Sequence, residues 1–68
     1  MIATRIAAFR KSKKMSQSEL GQLTGLDQTL ISRIERNQRK VTADEITMFA
    51  KALGVSIAEL LDEEEQSA

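Results

Sequence analysis

The sequence predicts an all-α domain of five helices, and three observations carry that prediction. Its 68 residues contain no Pro and only three Gly: Gly21, Gly25 and Gly54. Apolar residues recur at helical spacing and nowhere alternate with the period of two that a half-buried strand requires. The pattern Ser/Thr-x-x-Glu, a hydroxyl and a carboxylate that together satisfy free amides at a helix start, occurs at Ser16, Thr42 and Ser56.

The first helix is expected over about residues 1–13, with Ile2, Ile6 and Phe9 forming an apolar stripe. The basic residues Arg10, Lys11 and Lys13 suit the negative end of its dipole. Ser16 with Glu19 opens a second helix near 17–24, stapled by Met15 and Leu20. Asp27 is expected to cap a third near 28–36, with Leu26 and Ile31 as staple, although Leu30 stands where a box would need Glu. Thr42 with Glu45 opens a fourth near 43–53, and Ser56 with Glu59 a fifth near 57–61. Gly25, Asn37 and Gly54 follow the second, third and fourth helices, and each suits a left-handed stop. One core is expected from Leu20, Leu23, Leu26, Leu30, Ile31, Ile34, Val41, Ile46, Phe49, Ala50, Leu53, Val55 and Leu60. The domain is expected to occupy residues 1–61, with an acidic, flexible tail over 62–68.

Composition removes several functions. With neither His nor Cys, the usual zinc sites, imidazole acid–base chemistry and thiol nucleophiles are absent. No nucleophile–base pair is evident, so the chain is not expected to be an enzyme, and no metal or other cofactor is expected. There is no apolar run of membrane-spanning length, and the N-terminus lacks the order of a signal peptide, so a soluble cytoplasmic protein is expected. The 68 residues leave no length for a ligand-binding domain, and no small-molecule ligand is expected.

The net charge of zero hides a division. Residues 1–40 carry nine basic and three acidic side chains, a net +6; residues 41–68 carry one basic and seven acidic, a net −6. This is equally the pattern of a half that meets a polyanion and of a solvated surface with segregated charge.

The connection between the second and third helices is about three residues, the length of the turn in a helix-turn-helix. On the helix after that turn, Gln28, Thr29, Ser32, Arg33 and Arg36 face outward. Alone they also describe an ordinary polar helix surface. After a capped helix and a tight turn, on the basic half, they point to reading of the DNA major groove. Gln bonds bidentately to adenine and Arg to guanine, while Thr offers a methyl or a hydroxyl. Gln17 and Ser18 stand where free amides and a helix dipole favour a phosphate. Arg36 and the loop Asn37, Gln38, Arg39 and Lys40 are expected to hold the DNA backbone on the other side. For Arg39 and Lys40 a solvated loop remains the alternative.

The ordered segments Ile6–Arg10, Met15–Leu20, Gly25-Leu26, Ile31–Arg36 and Ala50–Val55 resemble the phage repressor/Cro-like (XRE-like) helix-turn-helix family. The resemblance implies a compact five-helix, lambda-repressor-like DNA-binding domain that binds a pseudo-palindromic operator in double-stranded DNA as a homodimer. By position it implies that Gln17 bonds a phosphate and braces Gln28. It further implies that Gln28, Thr29, Ser32 and Arg33 approach the bases, and that Arg10 and Glu35 form an internal ion pair. Ile57 and Leu61 either complete the core or form the dimer face. Two positions depart from the pattern: Asn37 replaces the commoner Gly, and Asp27 a commoner Ser or Thr. The resemblance implies a small repressor or autoregulator of the phage Cro or restriction–modification controller type, and the loop Asn37–Val41 and the compact length lean toward the controller. The alternative is an antitoxin-like or coactivator-like module that binds chiefly another protein.

Overall fold

In the computed structural model, five helices follow in chain order: α1 (Ile2–Ser12), α2 (Gln17–Thr24), α3 (Gln28–Glu35), α4 (Ala43–Leu53) and α5 (Ile57–Leu61). The structure describes residues 2–61; the acidic tail expected over 62–68 lies outside the described residues. Helices α2 and α3 pack on one another through the short turn, α4 closes under α2, and α1 bridges α3, α4 and α5.

The capping boxes form as expected. The Ser16 hydroxyl accepts from the Glu19 amide at 3.0 Å, and Glu19 accepts from the Ser16 amide at 2.7 Å. Thr42 with Glu45 and Ser56 with Glu59 repeat the exchange. Asp27 takes the extended backbone of a cap, φ −80° and ψ 164°, but its side chain makes no capping hydrogen bond. Its expected role is thus reduced to backbone geometry. Helix α3 ends one residue early: Arg36 is its cap, and Asn37 takes the left-handed conformation at φ 60°.

Ile6, Leu20, Ile31, Ile34, Phe49, Ala50, Leu53 and Leu60 form the buried core. Of the other expected members, Leu26, Val41, Ile46 and Val55 are partly buried and pack against this core, while Leu23 and Leu30 belong to neither set. Leu23 is 60% exposed. The buried arc of α2 is centred on Leu20, Gly21 and Thr24, and a 100° step leaves Leu23 off its edge. Thr24 occupies the inner position because its hydroxyl donates to the Leu20 carbonyl at 2.9 Å, which satisfies the buried oxygen. Leu30 is only half-buried, at the rim of the arc set by Ile31 and Ile34. At the far end Leu60 is fully buried, while Ile57 and Leu61 remain 43% and 45% exposed.

Gly21 fixes the approach of α2 to the turn. A Cβ there would lie 2.5 Å from the Leu26 carbonyl oxygen, a main-chain atom that cannot rotate away. The same region is tied by the Gly25 and Leu26 amides, both donating to the Gly21 carbonyl at 2.8 and 3.1 Å. Gly21→Ala is expected to destabilise the fold by about 1–3 kcal/mol, as overpacking of a closed site does. Urea unfolding followed by far-ultraviolet circular dichroism measures it, and an unchanged midpoint would refute the close approach.

Candidate nucleic-acid interface

The outer face of α3 and the start of α2 enclose a shallow groove of about 330 Å³, lined by Gln17, Gln28, Thr29, Ser32 and Arg36. Its composition follows from helical spacing: Gln28, Ser32 and Arg36 lie four apart on one line, with Thr29 beside them. Gln28, Thr29 and Arg36 are exposed and Ser32 is half-buried. The Arg36 Nε donates to the Ser32 carbonyl at 3.4 Å, a weak contact that leaves its terminal nitrogens outward. Arg33, expected among the base readers, is exposed but lies one step around the helix from this line and does not line the groove. Arg36, expected on the backbone side, does line it.

The inner edge of α3 is held by a buried charge. Arg10 of α1 meets Glu35 in a bidentate pair, Nε to Oε2 at 2.6 Å and Nη2 to Oε1 at 2.9 Å. The two side chains are only 11% and 7% exposed. Arg10 also donates from Nη1 to the Met15 carbonyl at 2.8 Å, so one guanidinium joins α1, the α1–α2 connection and α3. The hydrogen bonds to Glu35 raise the Arg10 pKa further above its ordinary value, against the effect of burial. Gln17 completes the set by donating its Nε2 to Glu35 Oε1 at 3.1 Å. The side-chain amide thus turns inward to Glu35, and among the described residues no hydrogen bond joins Gln17 to Gln28. The two share the groove, but the expected brace between them is replaced by a brace to the carboxylate.

The loop after α3 is anchored likewise. Asn37, Gln38 and Lys40 are exposed, and Ser18 is exposed at the start of α2. Arg39 is not available in the same way: its Nη1 and Nη2 both donate to Glu45 at 2.9 Å. Both terminal nitrogens that a phosphate contact would use are turned to Glu45, which is 8% exposed. The Glu45 carboxylate thus accepts both from the Thr42 amide at the α4 cap and from Arg39, and only the first is visible in the Thr-x-x-Glu spacing. The Arg39 hydrogen bonds hold the Glu45 carboxyl at about 2, against burial, which pushes it up, and with help from the Thr42 amide. Glu45 is therefore ionised in the fold at pH values where an unfolded chain, with its carboxyl near 4.5, takes up a proton. Its contribution to stability is complete above about pH 4.5 and is lost as pH falls toward 2. Glu45→Gln is expected to flatten the fall of the urea midpoint across this acid range. An equally steep fall in the variant would refute the assignment.

A family model described as helix-turn-helix matches residues 6–60, which run from α1 through α5. The chain belongs to the helix-turn-helix family. Among helix-turn-helix relatives, the control protein C.SmaI of Serratia marcescens is 34% identical over 61 residues, covering 90% of this chain and 73% of its own. The crystal structure of the restriction–modification controller protein C.AhdI from Aeromonas hydrophila superimposes with a TM-score of 0.83 at 36% identity, over 87% of this chain and 86% of that one. The P22 c2 repressor bound to a synthetic operator superimposes with a TM-score of 0.83 at 32% identity, over 91% and 94%. No helix among the described residues is long and apolar enough to cross a membrane.

Proposed function

We propose that the protein is a sequence-specific DNA-binding transcriptional regulator that binds a pseudo-palindromic operator as a homodimer. The observation that carries it is the groove of Gln17, Gln28, Thr29, Ser32 and Arg36 on a helix whose inner edge is locked by Arg10 and Glu35. Such a helix enters the major groove as a rigid body with its donors and acceptors already aimed. Gln28, Thr29, Ser32 and Arg33 read base edges; Gln17, Ser18, Arg36, Asn37, Gln38 and Lys40 lie along the backbone. The P22 c2 repressor's complex with an operator supports this over an interaction-only module, and the likeness to C.SmaI and C.AhdI favours the restriction–modification controller type. The work is binding in the cytoplasm, with no catalytic step and no cofactor. Ile57 and Leu61, nearly half exposed at the α5 end, form the contact between protomers. A two-fold axis there sets the two reading helices about 34 Å apart, one turn of DNA.

Selection from a pool of random duplexes tests the reading. An enriched inverted repeat with half-sites about one turn apart is expected; no enrichment by folded protein overturns it. On the selected site, Arg33→Ala is expected to cost about 1–3 kcal/mol and relax preference at one position of each half-site. Lys40→Ala is expected to weaken all sequences alike. Equal, sequence-independent losses from both would remove Arg33 from the base readers.

A further inference from the structure

Four helices end in one geometry. A residue with positive φ follows each, and the next amide donates to a carbonyl five residues back: Met15 to Arg10, Leu26 to Gly21, Gln38 to Arg33 and Val55 to Ala50, at 3.0 to 3.1 Å for the first, second and fourth and 2.8 Å for the third. The left-handed residues are Lys14 at φ 55°, Gly25 at 78°, Asn37 at 60° and Gly54 at 69°. Gly has no Cβ to strain there, and Asn tolerates the conformation. Lysine has neither advantage, and the stop would be more stable with Gly.

The surroundings of Lys14 indicate what its side chain is kept for. It is exposed, and among the described residues its ammonium has no ion-pair or hydrogen-bond partner. It stands two residues before the Ser16 cap and three before Gln17, which lines the groove. Its neighbour Lys13 is turned elsewhere, with its Nζ close to Gly54. Lys14 therefore puts an exposed charge three residues from a groove-lining side chain, on the half of the chain with net +6. A flexible ammonium without a planar fork suits a phosphate rather than a base edge.

We propose that Lys14 is a DNA phosphate contact, held at a strained position for its charge, which extends the interface across the α2 N-terminus to the α1–α2 turn. The proposal rests on the DNA-binding reading above. Lys14→Gly, Lys14→Gln and Lys14→Arg are compared on the selected operator by fluorescence anisotropy over a salt series, and by thermal unfolding. Lys14→Gly is expected to raise the melting temperature by about 4 °C. It should nonetheless weaken binding roughly fivefold or more and reduce the salt slope by about two for a dimer. Lys14→Gln should lose the same slope without the added stability, and Lys14→Arg should keep it. Wild-type affinity and slope in Lys14→Gly overturn the proposal. If the wild type binds no duplex at all, the DNA-binding reading fails and takes this one with it. If Lys40→Ala loses slope and Lys14→Gly does not, only the Lys14 contact is wrong.

Discussion

Glu35→Ala is expected to cost the fold about 3–5 kcal/mol, because it strands the Arg10 guanidinium in a nearly buried site with one carbonyl partner. Total stability for a domain of this length is roughly 3–10 kcal/mol, so the variant should lose about a third of it or more and unfold at a much lower urea concentration. The chain has no Trp or Tyr, and far-ultraviolet circular dichroism in urea is the suitable readout. The cause lies in the unpaired charge rather than in lost attraction. Replacing both partners, Arg10→Met with Glu35→Leu, should recover much of the stability. A loss under about 1 kcal/mol in Glu35→Ala would put the pair among ordinary surface contacts. The double variant carries a second expectation. It removes the acceptor for Gln17, so it should weaken DNA binding even when folded.

Affinity for the operator is expected to fall about a thousandfold between 50 and 200 mM salt. The reckoning uses Arg36, Lys40 and Lys14 from each of two protomers, about six phosphate contacts and a slope near −5. Arg39 is left out because Glu45 holds both its terminal nitrogens. Were it released to DNA, the slope would steepen to about −7. A slope near −7 would therefore show that the Arg39–Glu45 pair opens on binding. A flat dependence would contradict phosphate contacts altogether.

Much of this architecture is legible in the residues themselves because its signals are local. A Ser or Thr three residues before Glu fixes a helix start almost without reference to the rest of the chain, and the starts at Gln17, Ala43 and Ile57 were readable for that reason. What was not legible depends on geometry between elements. Leu23 is as apolar as Leu20, and only the position of the neighbouring helices makes one exposed and the other buried. Arg39 looks like any basic loop residue until the fold brings it to Glu45, whose visible role was already explained by Thr42. The inward turn of Gln17 likewise needs Glu35 in place, 18 residues away. Lys14 ends α1 without the Gly or Asn that announces such a stop, and composition has no signal for it. In the groove, helical spacing made the outward residues legible as a set, with Arg36 lining the groove and Arg33 beside it.

The contact between Gly21 and the Leu26 carbonyl has a consequence for how such a protein changes its target. The angle at which α3 leaves α2 is set there by main-chain atoms and by the absence of a side chain, at a buried position. In the proposed reading, Gln28, Thr29, Ser32 and Arg33 are therefore interchangeable letters on a fixed type block. New combinations at these positions alter which operator is recognised while the frame that presents them stays the same.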